Sequence, residues 1–267
     1  MAFGLRRLFG HGAETPAAFT RPRLHIPEWP AVVYAIGDVH GCLAQLRLLH
    51  QKILADAASI EGTKLIVSLG DYVDRGVDSA GVLDFLLSGV PEGFSRVCLA
   101  GNHEVMMLDH IAEPRSADRW LDYGGLETLM SYGIDTPAYL TAGARERSGL
   151  LRSHIPSQHL EFLKELPVAL SLPGLVLVHA GMRAGVPLED QDEDDLLWIR
   201  DQGGDGQPDA ADGPLLVHGH TPTPSPRING RNINIDTGAF ATGILTAVRL
   251  RPGEKPFFLN VGVADRT

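Results

Sequence analysis

The chain has 267 residues and a formal net charge of −10, from 23 Lys+Arg against 33 Asp+Glu. That balance excludes a protein whose affinity comes from neutralising a nucleic-acid backbone, because such a chain is basic, although a locally positive pocket stays open. Hydrophobic residues make up 44% and charged residues 21%, too apolar for a disordered chain, and two cysteines exclude a disulfide scaffold and fit a reducing, cytoplasmic compartment.

Residues 1–30 carry Arg6, Arg7, Arg21 and Arg23 among four prolines, show no sustained period, and read as a flexible arm. Phe3, Leu5, Leu8 and Phe9 beside Arg6 and Arg7 make at most a turn or two of amphipathic helix, marginal alone. With no apolar h-region and no run approaching ~18 apolar residues, neither a secretory signal nor stable membrane insertion is expected. From Ala31 the pattern becomes regular. AVVYAIG, KLIVSLG and RVCLAG are short apolar runs ending in glycine, as buried strands do. Between them, CLAQLRLLHQKIL and SAGVLDFLLSG have helical spacing, so parallel βαβ units are predicted. Residues 104–165 read as a mostly helical insert. GLVLVHAG, LLVHG, NINIDTG and GILTAVRL then return to strands, and Asp201 to Gly213 reads as a surface loop. The expected organisation is one catalytic domain over 31–262.

The polar residues cluster at the strand ends: Gly37-Asp38-Val39-His40-Gly41, Gly70-Asp71-Tyr72-Val73-Asp74-Arg75-Gly76, Gly101-Asn102-His103-Glu104, His179-Ala180-Gly181 and His218-Gly219-His220-Thr221. In open α/β sheets, sites lie beyond the carboxyl ends of strands, where these five clusters would converge. Imidazole, carboxylate and amide without thiolate suit Mn, Fe or Zn. Asp38 and His40 alternate onto one side of an extended segment, Asp71 comes from the neighbouring strand and could bridge two ions, and Asn102, His179 and His220 could complete a second ion. Two ions ~3.5–4 Å apart can activate water for in-line displacement at phosphorus. Arg75, with Arg200 as a second candidate, offers the fork that recognises phosphate oxygens.

GDVHG, GDYVDRG, GNHE, HAG and HGHT, in this order, resemble the calcineurin-like metallophosphoesterase superfamily. The DRG ending and GNHE resemble its phosphoprotein phosphatase family, with bacterial serine/threonine phosphatases and diadenosine tetraphosphate hydrolases as relatives; LLWIR near Trp198 and NIDTGA near Asp236 resemble the bacterial members. The resemblance implies a sandwich of two mixed β-sheets flanked by α-helices and two divalent metals, Mn²⁺ first with Fe or Zn as alternatives. It implies that Asp38 and His40 hold the first ion, that Asp71 bridges, and that Asn102, His179 and His220 hold the second. His103 would be the general acid oriented by Asp74, Arg75 and Arg200 would grip phosphate, and a metal-activated water would attack phosphorus without a phosphoenzyme.

The expected substrate is phosphoserine or phosphothreonine in a protein. A dinucleoside polyphosphate, a phosphorylated small molecule, is the alternative, and a non-catalytic binding protein on the same fold is a third reading. His218 is left out of the metal set as a packing or hydrogen-bonding residue. The acidic run Glu189–Asp195 reads as a solvated loop, and Trp120 and Tyr123 as core packing of the insert. Four residues lie between Cys42 and Arg47 where a cysteine-phosphatase loop needs five, and no G-x-S-x-G elbow or Walker loop is present.

Overall fold

The computed structural model describes residues 20–200 and 213–262. The first 19 residues of the expected arm, and all but Gly213 of the expected 201–213 loop, lie outside the described residues.

Strand β2 (Val32–Ile36) shows why the apolar runs form buried strands. All five of its residues are buried, and period-2 alternation splits them between two cores. Val33 and Ala35 enter a layer between two sheets, while Val32, Tyr34 and Ile36 face helices. β3 (Lys64–Ser68) and β4 (Phe94–Cys98) follow, joined through α1 (Leu43–Asp56) and α2 (Ser79–Leu87). β2, β3 and β4 run parallel, as predicted, and α1 and α2 supply Leu46, Leu49, Ile53, Val82 and Leu83 to the helix-side core. The insert is α3 (Asn102–Ala112), a single π-type turn at Leu121–Gly125, α4 (Leu126–Ser131), α5 (Thr136–Thr141), α6 (Ala144–His154) and α7 (Ser157–Glu165).

The second half builds the other sheet from β5 (Ala169–Leu172), β6 (Leu175–Val178), β7 (Leu215–His218), β8 (Arg227–Asn229) and β9 (Asn232–Asn234), with α8 (Glu193–Trp198) packed beside it. After α9 (Ala239–Thr242), β10 (Leu245–Leu250) and β11 (Phe257–Val261) return to the first sheet. That sheet has the order β11-β10-β2-β3-β4, and the other has β1-β5-β6-β7-β9-β8, where β1 is Arg23–His25. Both contain parallel and antiparallel pairs, and Leu170, Leu175, Leu177, Val217, Ile233 and Ile235 close the inter-sheet layer against Val33, Leu65, Val67 and Leu99. The fold is therefore α/β, two mixed sheets flanked by helices. The carboxyl ends of β2, β3 and β4 and of the parallel set β6, β7 and β9 lead into the loops that carry the polar clusters.

Residues 21–29, expected to lie in the arm, are instead joined to the fold. β1 pairs in parallel with β5, and the Trp29 indole N–H donates to the Pro173 carbonyl at 2.8 Å. The cause is Arg21, which is buried, donates to the carbonyls of Leu163 (3.0 Å) and Leu166 (3.1 Å), and pairs with Glu193 at 3.6 Å. Arg23 donates to the Glu189 and Gln191 carbonyls, and Arg183 pairs with Asp195. The acidic run is thus partly consumed in fastening the chain entry rather than fully solvated. A local sequence pattern does not show this, because the partners of Arg21 and Arg23 lie more than 140 residues away. Arg21→Ala leaves two buried carbonyls without their donor and should lower stability by about 2 kcal/mol, seen as a lower Tm.

Candidate active site

Backbone conformation marks the site before any side chain is considered. Among the described residues, the non-glycine residues with left-handed backbone are His40 (φ 42°), Asp71 (φ 53°), Asp74 (φ 73°), Arg75 (φ 66°) and His220 (φ 66°), all from the predicted clusters. Such conformations cost on the order of 1–3 kcal/mol each and gather where surrounding structure forces them for function. Two glycines are required by close approach. A Cβ on Gly219 would lie 2.0 Å from Asp38 Oδ1, and one on Gly101 would lie 2.2 Å from Asp71 Oδ1. Glu104, fully buried at the start of α3, accepts the backbone N–H groups of Gly101 (2.8 Å), Asp71 (2.8 Å), Tyr72 (2.7 Å) and Val73 (3.3 Å), locking two strand-end loops together. Burial, with the nearby Asp71 charge, lifts its pKa to about 7.

The fit to metal follows from donor chemistry. His40 Nδ1 donates to the Val73 carbonyl (2.8 Å) and His179 Nδ1 to the Leu69 carbonyl (3.0 Å), so in each neutral ring Nε2 is a lone pair. Those lone pairs face acceptors: His40 Nε2 lies 3.3 Å from Asp71 Oδ2, and His179 Nε2 lies 3.4 Å from Asp71 Oδ1 and 2.9 Å from Asn102 Oδ1. His220 Nδ1 is 3.1 Å from His179 Nε2, and His220 Nε2 is buried without a partner. These nitrogen and carboxylate donors, aimed at one another in a buried site, fit a shared cation. Among the described residues two groups could hold one, His40–Asp71–His103 and Asp71–His179–His220, and Asp71 is common to both. Burial lowers the pKa of His179, and that of His220 to about 3. Burial disfavours charge on Asp71, but His179, His103 and His40 outweigh it and hold its pKa well below the usual range.

Asp38 sits differently from expectation. It is outside both close groups and accepts the His220 backbone N–H at 3.0 and 3.2 Å. Burial, then Asp236 and Asp71, push its pKa well up. Three buried carboxylates so close together repel until a cation neutralises them. Adding Mn²⁺ to stripped protein at about 100 times Kd should therefore raise Tm by about 5 °C, and calorimetry with and without chelator measures it.

A second constellation stands beside the metal donors. His103 Nδ1 donates to Asp74 Oδ2 at 2.6 Å. Asp74 is itself fully buried and held by the Trp120 indole N–H (3.0 and 2.9 Å) and by Thr128 Oγ1 (2.7 Å). Burial lowers the His103 pKa, but Asp71 and Asp74 more than compensate and the net shift is upward. Arg75 Nη2 is 3.1 Å from His103 Nε2, and its guanidinium lies over the Phe240 ring at 4.7 Å.

Asp71, Arg75, Asn102, His103, Arg200 and His220 open into one cavity of about 360 Å³, whose other walls include Arg119, Tyr123 and Trp198. All ten predicted site residues thus fall around one region, with Arg200 reaching it from the end of α8. His218 is outside both donor groups, its Nδ1 3.1 Å from the Gly219 carbonyl. Trp120 is core as expected but also holds Asp74, whereas Tyr123 is half-exposed on the cavity wall rather than packed in the core. Arg119, Asp236 and Phe240 were not singled out from sequence. The NIDTGA stretch was the available signal for Asp236 and Phe240; none pointed to Arg119.

A family model for calcineurin-like phosphoesterases matches residues 31–246. The chain is 27% identical over 232 residues to the asymmetrical bis(5'-nucleosyl)-tetraphosphatase PrpE of Anoxybacillus flavithermus, covering 80% of this chain and 88% of that protein. It is 30% identical over 232 residues to serine/threonine-protein phosphatase 1 of Salmonella typhimurium, covering 86% and 96%. A crystal structure provisionally described as a diadenosine tetraphosphatase superposes with TM-score 0.61 at 21% identity, covering 90% of this chain and 98% of that one. The match across most of the sequence, on a fold that gathers histidine, aspartate and asparagine donors around shared Asp71, shows that the chain belongs to the calcineurin-like phosphoesterase family.

Proposed function

We propose that the domain over residues 31–262 hydrolyses a nucleoside polyphosphate, with Asp38, His40, Asp71, Asn102, His179 and His220 holding two divalent ions, Mn²⁺ before Fe or Zn. Bound there, the ions supply Lewis-acid charge at phosphorus and lower the pKa of water. His103 donates a proton from Nε2 to the departing oxygen while Asp74 orients the ring through Nδ1. His103 is left outside the ligand set because its Nδ1 is taken by Asp74 and the Arg75 guanidinium stands 3.1 Å from its Nε2. Arg75 and Arg200 bind phosphoryl oxygens, and Arg119 joins them.

The observation that carries the substrate class is the arginine count. Arg75, Arg119 and Arg200 line one cavity with the aromatic rings of Tyr123 and Trp198. A phosphomonoester carries at most two charges, fewer than three guanidiniums neutralise, whereas a polyphosphate chain matches them. This supports the dinucleotide over the phosphoprotein expected from sequence. The phosphoprotein remains the second reading, favoured by 30% identity across almost the whole length of the Salmonella phosphatase.

The deciding experiment offers Mn²⁺-loaded protein p-nitrophenyl phosphate, a phosphothreonine peptide and diadenosine tetraphosphate in parallel. Preference for the dinucleotide supports this reading. Preference for the peptide moves the function to phosphoprotein, and silence on all three with Mn²⁺ bound returns it to a binding protein.

A further inference from the structure

A second cavity of about 490 Å³, walled by Leu43, Gly76, Val77, Ala239 and Phe240, shares Arg75 with the cavity beside His103. Its chemistry differs. The first cavity has three arginines, whereas the second is mostly apolar; of its other charged residues, Arg47 is exposed and Asp78 caps α2 by accepting the Gly81 N–H at 2.9 Å. Val77 is 88% exposed and Phe240 39%, so two large apolar side chains stand in solvent without a role in the core. The Arg75 guanidinium lies 4.7 Å from the centre of the Phe240 ring and His40 packs edge-on against it at 5.3 Å, which fixes a ring that is still 39% exposed.

His103 lines the first cavity and not the second. The oxygen that takes its proton must therefore lie on the arginine side. We propose that the second cavity is a nucleoside subsite, and that the substrate lies with the nucleoside of the attacked phosphorus against Phe240 and Val77 and the departing polyphosphate against Arg75, Arg119 and Arg200. This rests on the polyphosphate reading above and adds its polarity. A water oxygen bonds to the phosphorus nearest that nucleoside and the bond to the bridging oxygen breaks. The electron pair stays on the bridging oxygen, which accepts the proton from His103 Nε2, and the water's surplus proton goes to solvent. The products are a nucleoside monophosphate carrying the water oxygen and a nucleoside triphosphate without it.

The test hydrolyses diadenosine tetraphosphate with the Mn²⁺-loaded full chain in ¹⁸O-water and reads both products by mass spectrometry. Label in the monophosphate is expected; label in the triphosphate overturns the polarity. In parallel, Val77→Glu and Phe240→Ala should each lower the ratio of kcat/KM for the dinucleotide to that for p-nitrophenyl phosphate by about tenfold or more, the size of one lost base–aromatic stack. A ratio within about threefold of wild type for both variants overturns the subsite while leaving polyphosphate hydrolysis standing. A wild-type protein that hydrolyses p-nitrophenyl phosphate but not the dinucleotide overturns the polyphosphate reading and the subsite with it.

Discussion

Asp38→Asn is expected to abolish Mn²⁺-dependent turnover, a loss of more than about 10³-fold, beyond the 10–100-fold typical when only a partner of a ligand is removed. The variant should fold, because an asparagine oxygen can still accept the His220 N–H that Asp38 accepts at 3.0 Å. Without metal it should be at least as stable as wild type. Burial, Asp236 and Asp71 all disfavour the Asp38 charge, so a neutral amide relieves repulsion that the stripped wild-type protein carries. The Tm increase on adding Mn²⁺ should shrink or disappear. A variant that keeps both the full Mn²⁺ shift and the activity would remove Asp38 from the metal set.

His103→Asn should act differently. Proton donation contributes about 10²–10⁴-fold, so kcat falls within that range on substrates with poor leaving groups. The fall should be smaller for p-nitrophenyl phosphate, whose departing phenolate needs less help. Metal content, measured on the purified variant, should equal that of wild type, because His103 spends Nδ1 on Asp74 and turns Nε2 toward Arg75. Loss of metal would instead make His103 a third donor with His40 and Asp71, the arrangement that proximity alone suggests.

Much of this was legible in the chain. The three apolar runs ending in glycine overlap β2, β3 and β4; β2 and β3 are buried almost throughout and so are apolar, whereas β4, at the sheet edge, is only partly buried and carries Ser95 and Arg96. β1, β5, β8 and β11 were not read. β1 and β8 are three residues long with mostly exposed side chains, and their strand state comes from partners far along the sequence. The same separation hid Arg21, whose burial depends on carbonyls at the end of α7. Trp120 was readable as a core residue but not as the donor to Asp74, since the two stand 46 residues apart.

The division follows from range. Local sequence determined the strand–glycine–polar clusters, hence the donor types and the βαβ frame, because alternation and turn chemistry act over a few residues. Only the tertiary structure decided which donors face one another across Asp71, and that Arg75 lines both an arginine-rich cavity and a more apolar one. Those relations join loops from two sheets and an insert, and they are set by how the sheets stack rather than by any one segment.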